Sequence, residues 1–338
     1  MKITLRDIAA RTGYSVNTVS HALAGKTDIS EPTRAEIARV AAEMGYIRNT
    51  AASSLRSGLS RTIELILPDA ANPHFIIVFR GIEAFFRKKG YTVFVLNTDE
   101  DPAIENAAIR AALAQNADGI LLCPAIGDSD NIAYLRGTGV PFCLIGRKVE
   151  GQEADFVVCD DEEGGYLAAM HLYEAGHRTL AFFNGDPRIS GSRERLAGCR
   201  RALAEKGLSL PDDLVLSLSV KAGQNRTRMR TFLEDHPNVT ALIAFSDLLA
   251  FEAVCVLEEM GRSVPRDLSI VGFDNICTDF PLSPPLSSIS VSKKAMATVS
   301  AELLWERIEG NAPTDSRIIL PTKLIGRKTV STVKESTP

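Results

Sequence analysis

A chain of 338 residues, 45% hydrophobic and 24% charged, is too long for one ordinary core and too balanced for a disordered or fibrous polymer, so two or three globular domains are expected. The net charge is −4, yet residues 1–61 hold nine Lys and Arg against five Asp and Glu; that local +4 leaves −8 for the rest, the footprint of a basic nucleic-acid-reading head on an acidic body. The opening MKITLRDIAARTG is too polar for a signal peptide and no apolar run approaches a membrane span, so the cytoplasm is the expected compartment and no membrane partner is expected.

In chain order, Thr4 can cap a first short helix, with Asp7 three residues on as the acidic half of a capping box. Gly13 ends that helix and Ser15 caps a second, on which Val16, Val19 and Leu23 are spaced to bury one stripe beside Ile8 and Ala9. Two helices about a glycine turn make a helix-turn-helix, whose second helix enters the DNA major groove. On it stand Asn17, Thr18, Ser20 and His21, small or polar side chains that an interior would not ask for. Asn pairs with an adenine edge, and Ser and Thr bond to bases or phosphates, although singly each is also an ordinary solvated residue. A third helix opens at Ser30-Glu31-Pro32-Thr33 and runs to Met44, with Ile37, Val40, Ala41 and Met44 closing a three-helix core. Residues 47–61, IRNTAASSLRSGLSR, form a hinge. Asn49 can cap a short helix there, but that helix has almost no apolar face and would be marginal alone in water, so folding on binding is inferred.

Together, Thr4-Leu5-x-Asp7-Ile8-Ala9, Gly13-x-Ser15-x-x-Thr18-Val19-Ser20, Gly45-Tyr46-Ile47-x-Asn49 and Ala52-x-x-Leu55 resemble the LacI/GalR family of bacterial transcription regulators, and the resemblance goes on to cover nearly the whole chain. It implies that Val16, Asn17 and His21 occupy base-reading positions, that Thr33 and Tyr46 contact phosphates, and that Leu55, among Asn49, Ala52 and Arg56, wedges into the minor groove at the operator centre. With Thr4, Ser15, Thr18 and Ser20 these are the expected DNA-binding residues.

From Arg61 strands alternate with helices, the sign of parallel sheets in an α/β fold. Strands are expected at Thr62–Leu67, Thr92–Leu96, Gly119–Cys123, Phe142–Ile145, Phe156–Cys159, Thr179–Phe183, Leu214–Ser217, Ala241–Phe245 and Ser269–Phe273, with helices between most of them. The family pattern returns the chain to the first half after Pro284-Pro285, with Ser292–Glu309 as its last helix and a final crossing near Pro321. The expected fold is therefore an all-α helix-turn-helix domain (1–46), a hinge helix and linker (47–61), and a periplasmic-binding-protein-like core of two doubly wound lobes, 62–161 with 291–320 and 162–290 with 321–338. Six cysteines (Cys123, Cys143, Cys159, Cys199, Cys255, Cys277), none in a CxxC pair, lie mostly in or beside apolar runs and are expected to be reduced core residues rather than disulfides or metal ligands.

Ligands of open α/β sheets bind beyond the carboxyl ends of the strands. That rule selects Asn72, His74 and Phe75 after the first strand, Asn97, Arg147, Asp160, Ser246, Asp247 and Asp274 after later ones, and Arg193 and Arg195 in the helix after the sixth. The resemblance implies that Arg195 and Asp274 bond to effector hydroxyls and that Phe75 is an apolar wall, which suits a sugar or related polyhydroxyl ligand. Ser246 departs from the Asn or Asp that many sugar-binding members carry there, leaving room for a bulkier ligand. Asp160 to Glu163, paired acids at a helix start, favour its dipole more than a metal. No GxxxxGK[ST], HExxH, GxSxG or GxGxxG is present, which disfavours an enzyme, and no cofactor or metal is expected. A transport-type solute-binding protein has no use for residues 1–61. The expected function is a ligand-responsive regulator, most simply a repressor, that binds a pseudopalindromic DNA operator as a homodimer. The short polar tail from Thr329 to Pro338 lacks leucine heptads, so no tetramerising coil is expected.

Overall fold

The computed structural model describes residues 3–47, 58–127, 130–221, 223–276, 285–311 and 317–333. The chain separates into two compact units, Met1–Ser60 and Arg61–Pro338.

In the first unit, α1 (Leu5–Thr12), α2 (Val16–Leu23) and α3 (Glu31–Glu43) surround a small core of Ile8, Ala9, Val19, Ala22, Ile37, Val40 and Ala41. The local signals explain the boundaries. The Thr4 amide donates to the Asp7 carboxylate at 2.8 Å, Gly13 adopts φ 78° with its N–H on the Ala9 carbonyl, and the Ser15 hydroxyl accepts from the Thr18 amide at 3.0 Å. Val16 is a correction. It is 42% exposed and does not join the buried stripe, which is made by Val19 and Ala22 with Leu23 partly buried. The hinge residues Asn49, Ala52, Leu55 and Arg56 lie outside the described residues.

The second unit holds two six-stranded sheets. The first has the order β11 (Arg317–Leu320), β5 (Phe156–Cys159), β4 (Phe142–Ile145), β3 (Gly119–Leu122), β1 (Thr62–Leu67), β2 (Thr92–Asn97), every pair parallel. Its faces are covered by α4 (Pro73–Lys88) and α11 (Lys293–Ile308) on one side, and by α5 (Pro102–Ala114) and α6 (Asp130–Gly137) on the other. The second has the order β12 (Thr322–Ile325), β10 (Ser287–Val291), β9 (Ser269–Phe273), β8 (Ala241–Ala244), β6 (Leu180–Asn184), β7 (Val215–Ser217). It packs between α7 (Asp161–Glu174) with α8 (Ser190–Glu205) and α9 (Arg226–Asp235) with α10 (Asp247–Glu259). Central strands such as Gly119–Leu122 and Ala241–Ala244 are apolar throughout because both faces are covered.

Three strands lay beyond the expected set: β10, β11 and β12. β12 pairs with β10 antiparallel, so the second sheet is parallel except at that edge. The chain passes between the sheets from β5 into α7, from β10 into α11, and from β11 to β12 across Pro321. The carboxyl ends of the two sets of parallel strands therefore face one cleft bordered by these crossings.

Cys123, Cys143, Cys159 and Cys199 are buried and free, and burial pushes the Cys123 and Cys199 thiols up to about 12. Cys255, in contrast to the expectation, is exposed, and Cys277 lies outside the described residues. No helix among the described residues is long and apolar enough to cross a membrane, and no group of three His, Cys, Asp or Glu among them is arranged to hold a metal ion.

Candidate functional site

On the first unit, Thr4, Ser15, Val16 and Asn17 are exposed, whereas Thr18, Ser20, His21, Thr33 and Tyr46 are half-buried. Ser15 and Ser30 cap α2 and α3, and each places its hydroxyl within 2.9 Å of a threonine hydroxyl, Thr18 and Thr33 respectively. Tyr46 packs against the three-helix core. The surface of α2 that avoids the core thus carries Asn17 and, one turn on, His21.

In the second unit the cleft residues come from nearly every strand end. Asp69, Asn72, His74 and Phe75 follow β1, Glu100 follows β2, Arg147 follows β4, Asp161 opens α7, and Arg195 lies in α8; Phe245, Ser246 and Asp274 are also part of the lining. The centre is Arg195. Its Nε donates to Asp161 Oδ1 at 2.8 Å, a second guanidinium nitrogen donates to the Phe245 carbonyl, and the group lies between the Phe245 and Phe273 rings at 4.5 and 4.3 Å. Both partners are almost wholly buried. Facing it, His74 Nδ1 is 3.6 Å from Asp274 Oδ1 and has no hydrogen-bond partner, and burial holds its imidazole below the usual range. Asp274 itself sits at φ 91°, a conformation in which few residues other than glycine are found.

The remaining expected residues divide by what their side chains already do. Asn72 caps α4 by accepting from the His74 amide at 2.9 Å, and Ser246 caps α10; both still line the cleft. Arg147 lines it while clamped by Glu100 at 2.7 and 2.8 Å and by the Pro124 carbonyl. Four others do not line it. Asn97 braces the loop after β1, accepting from the Ala70 amide at 2.7 Å. Asp160 is spent as the cap of α7, accepting from the Glu163 amide at 3.0 Å, and its neighbour Asp161 points inward instead. Asp247 lies beneath the floor, accepting from the Ile276 amide at 2.8 Å and the Ser288 hydroxyl at 2.6 Å. Arg193 borders an adjoining outer chamber and reaches across to Glu150 at 2.6 Å. Sequence reasoning missed Asp69, Glu100, Asp161 and Phe245.

Asp247 makes a pH prediction. Burial, reinforced by Asp274, pushes its carboxyl up to about 8, above the unfolded value of about 3.9. Between these values the native state holds a proton that the unfolded chain has lost, so stability falls as pH rises from about 4 to 8. Melts of the wild type are expected to weaken over that window and melts of Asp247→Asn to weaken less; parallel pH profiles would assign the carboxyl an ordinary titration.

The inner cavity is about 70 Å³ and continues past Arg147 and Ile189 into an outer one of about 260 Å³. The lobes are bridged there by Lys148 to Glu194 at 2.9 Å, Glu150 to Arg193, and Lys148 N–H to the Ser190 hydroxyl at 3.2 Å. A larger hollow of about 580 Å³ lies at the opposite, amino ends of β4, β5 and β11, away from the ligand side of such sheets, and its Arg307 is already clamped by Asp155.

Two family models match the chain. Residues 4–49 fit the bacterial regulatory proteins of the lacI family, and residues 60–328 fit the periplasmic binding proteins and sugar binding domain of the LacI family. The chain belongs to the LacI family of bacterial regulators. Within that family it is 31% identical to the HTH-type transcriptional regulator DegA of Bacillus subtilis (strain 168), covering 98% of this chain and 99% of that one. It is 30% identical to the transcriptional repressor PurR of Aliivibrio fischeri (strain MJ11), over 90% and 92% of the two chains. The solved complex of the transcriptional regulator CelR with cellobiose superposes with a TM-score of 0.74 at 28% identity, covering 97% of this chain and all of that one. This LacI-family chain is thus a ligand-responsive DNA-binding regulator rather than an enzyme, with a helix-turn-helix unit and a two-lobed periplasmic-binding-protein-like core.

Proposed function

We propose that the protein is a repressor that binds a pseudopalindromic operator as a homodimer and is controlled by a sugar or sugar derivative held between the two lobes of its core. The observation that carries the effector class is Arg195, fixed between two aromatic rings beside Asp161 and opposite the His74–Asp274 pair. Such a cleft offers charged donors, carboxylate acceptors and ring faces together, the combination that a polyhydroxyl ring uses. The cellobiose complex of CelR, and the match to a sugar-binding family model, support the same class.

In this reading Thr4, Ser15, Val16, Asn17, Thr18, Ser20, His21, Thr33 and Tyr46 meet the operator half-site, and the hinge supplies Asn49, Ala52, Leu55 and Arg56. Asn72, His74, Phe75, Arg147, Arg195, Ser246 and Asp274 meet the effector, whereas Asn97, Asp160, Arg193 and Asp247 shape the cleft around it. The domains run 1–46, 47–61, then the two lobes, which divide at residues 161, 290 and 320. Because Lys148, Glu150, Asp99 and His74 on one lobe pair with Glu194, Arg193, Lys221 and Asp274 on the other, a ligand that changes their separation changes the lobe orientation. Ligand and operator affinities are then reciprocally coupled.

The test is a thermal-shift screen of the purified protein against sugars, sugar alcohols, sugar phosphates and purines. A ligand at about 100 times its Kd stabilises the native state by about 2.7 kcal/mol, so a sugar or sugar derivative is expected to raise the melting temperature and to alter binding to selected operator DNA. A hit confined to the purines would overturn the sugar assignment, and a tetramer in analytical ultracentrifugation would overturn the dimer.

A further inference from the structure

An acidic side chain is out of place beside DNA phosphates unless it has a task there, and Asp28 stands next to the recognition helix. The turn after α2 folds back on that helix: Gly25 adopts φ 71° and the Lys26 amide donates to the His21 carbonyl at 3.1 Å. Both charged side chains of the turn therefore meet the His21 ring. Nδ1 lies 2.6 Å from Asp28 Oδ2, and Nε2 lies 3.4 Å from Lys26 Nζ. The Asp28 carboxyl is held below its ordinary range, first by its bond to His21. An ionised carboxylate can only accept, so Nδ1 carries the proton; in the neutral ring the Nε2 that faces the Lys26 ammonium then carries the lone pair. The Asp28 contact selects that tautomer.

We propose that Asp28 is a positioning and specificity-determining residue, which locks His21 so that a bare Nε2 is offered to the major groove and selects a base with an amino group on its edge, cytosine or adenine, at one position of each half-site. This rests on the reading of His21 as a base-facing residue. Those two bases present N4 and N6 amino donors there, whereas guanine and thymine present acceptors that a bare nitrogen cannot pair with. Lys26, whose contact is exposed and weak, transfers to a phosphate when DNA is bound. The carboxylate meanwhile repels the backbone at every sequence, so Asp28 raises discrimination and lowers non-specific affinity.

The experiment uses the full-length protein and a random-sequence duplex library, from which a base-preference matrix is selected for the wild type, His21→Ala, Asp28→Ala and Asp28→Asn, with poly(dI-dC) as the non-specific duplex. The wild type is expected to favour cytosine or adenine at a position that becomes indifferent in His21→Ala. Asp28→Ala is expected to lose that preference about fivefold or more while binding poly(dI-dC) more tightly, a pairing of effects that a merely structural acid would not give. Asp28→Asn, which keeps an acceptor oxygen against Nδ1, is expected to retain the preference. If Asp28→Ala keeps a preference that His21→Ala loses, or if the position favours guanine, the tether is overturned and the base-reading assignment stands. A matrix unchanged in His21→Ala overturns both.

Discussion

Replacing Arg195 by methionine is expected to abolish effector binding and to cost the core about 3–5 kcal/mol, the range for removing one partner of a buried ion pair. The side chains of Arg195 and Asp161 are only 10% and 4% exposed, so the aspartate left behind has neither a cation nor water to meet its charge. Methionine fills much of the space between the Phe245 and Phe273 rings, which limits the cavity contribution and leaves the unpaired carboxylate as the main cost. The two roles of Arg195 separate in a double variant. Adding Asp161→Asn removes the stranded charge and is expected to restore most of the stability, but not the affinity for the ligand found by thermal shift. Denaturant unfolding and calorimetry on the wild type, both single variants and the double variant measure the two quantities independently. Unchanged affinity in Arg195→Met would take Arg195 out of the effector site, and a stability loss below about 1 kcal/mol would mean that the pair behaves as a solvated one.

The helix-turn-helix was legible because its instructions are local. Thr4 with Asp7, Gly13, and Ser15 each act on neighbours within four residues, and all are seen in those roles. Most core strands were legible as apolar runs between glycine-ended helices. β10 was not: its sequence Ser287-Ser288-Ile289-Ser290-Val291 is polar at three of five positions, and its buried serines are satisfied by distant groups. The Ser287 amide donates to the Thr329 hydroxyl at 2.8 Å, and the Ser288 hydroxyl donates to Asp247 at 2.6 Å. The tail makes contacts of the same kind. Thr329 is fully buried and donates to the Ile270 carbonyl, and Val333 N–H reaches the Ala175 carbonyl, so residues that read as polar ends are bonded into the second lobe. The strand-end rule located the cleft but left side-chain direction undetermined. Asp160 and Asp161 are adjacent, and only the capping geometry of α7 decides that the first is turned to the helix amides and the second to Arg195.

That geometry depends on how closely α7 and α8 pack, and Gly198→Ala is expected to show it. A Cβ built on Gly198 would overlap the Glu162 carbonyl oxygen and lie 2.9 Å from the Tyr166 nitrogen; one on Gly165 would overlap the Arg195 carbonyl oxygen. The obstacles are backbone atoms, which no rotamer change can move. Helix propensity alone favours alanine over glycine by about 1 kcal/mol, so a sequence argument gives a stabilising sign. Overpacking costs about 1–3 kcal/mol and occasionally more, and backbone overlap belongs at the upper end, so the net effect is expected to be a loss of at least about 2 kcal/mol. The helices can relieve the overlap only by moving apart, which draws Asp161 on α7 away from Arg195 on α8 and weakens ligand binding at the same time. Gly137→Ala is the control, since that glycine ends α6 with nothing within 4 Å of the added methyl, and it is expected to be neutral or slightly stabilising. If Gly198→Ala were as stable as the wild type and bound ligand equally well, the close approach of α7 and α8 could not be what holds Asp161 and Arg195 together.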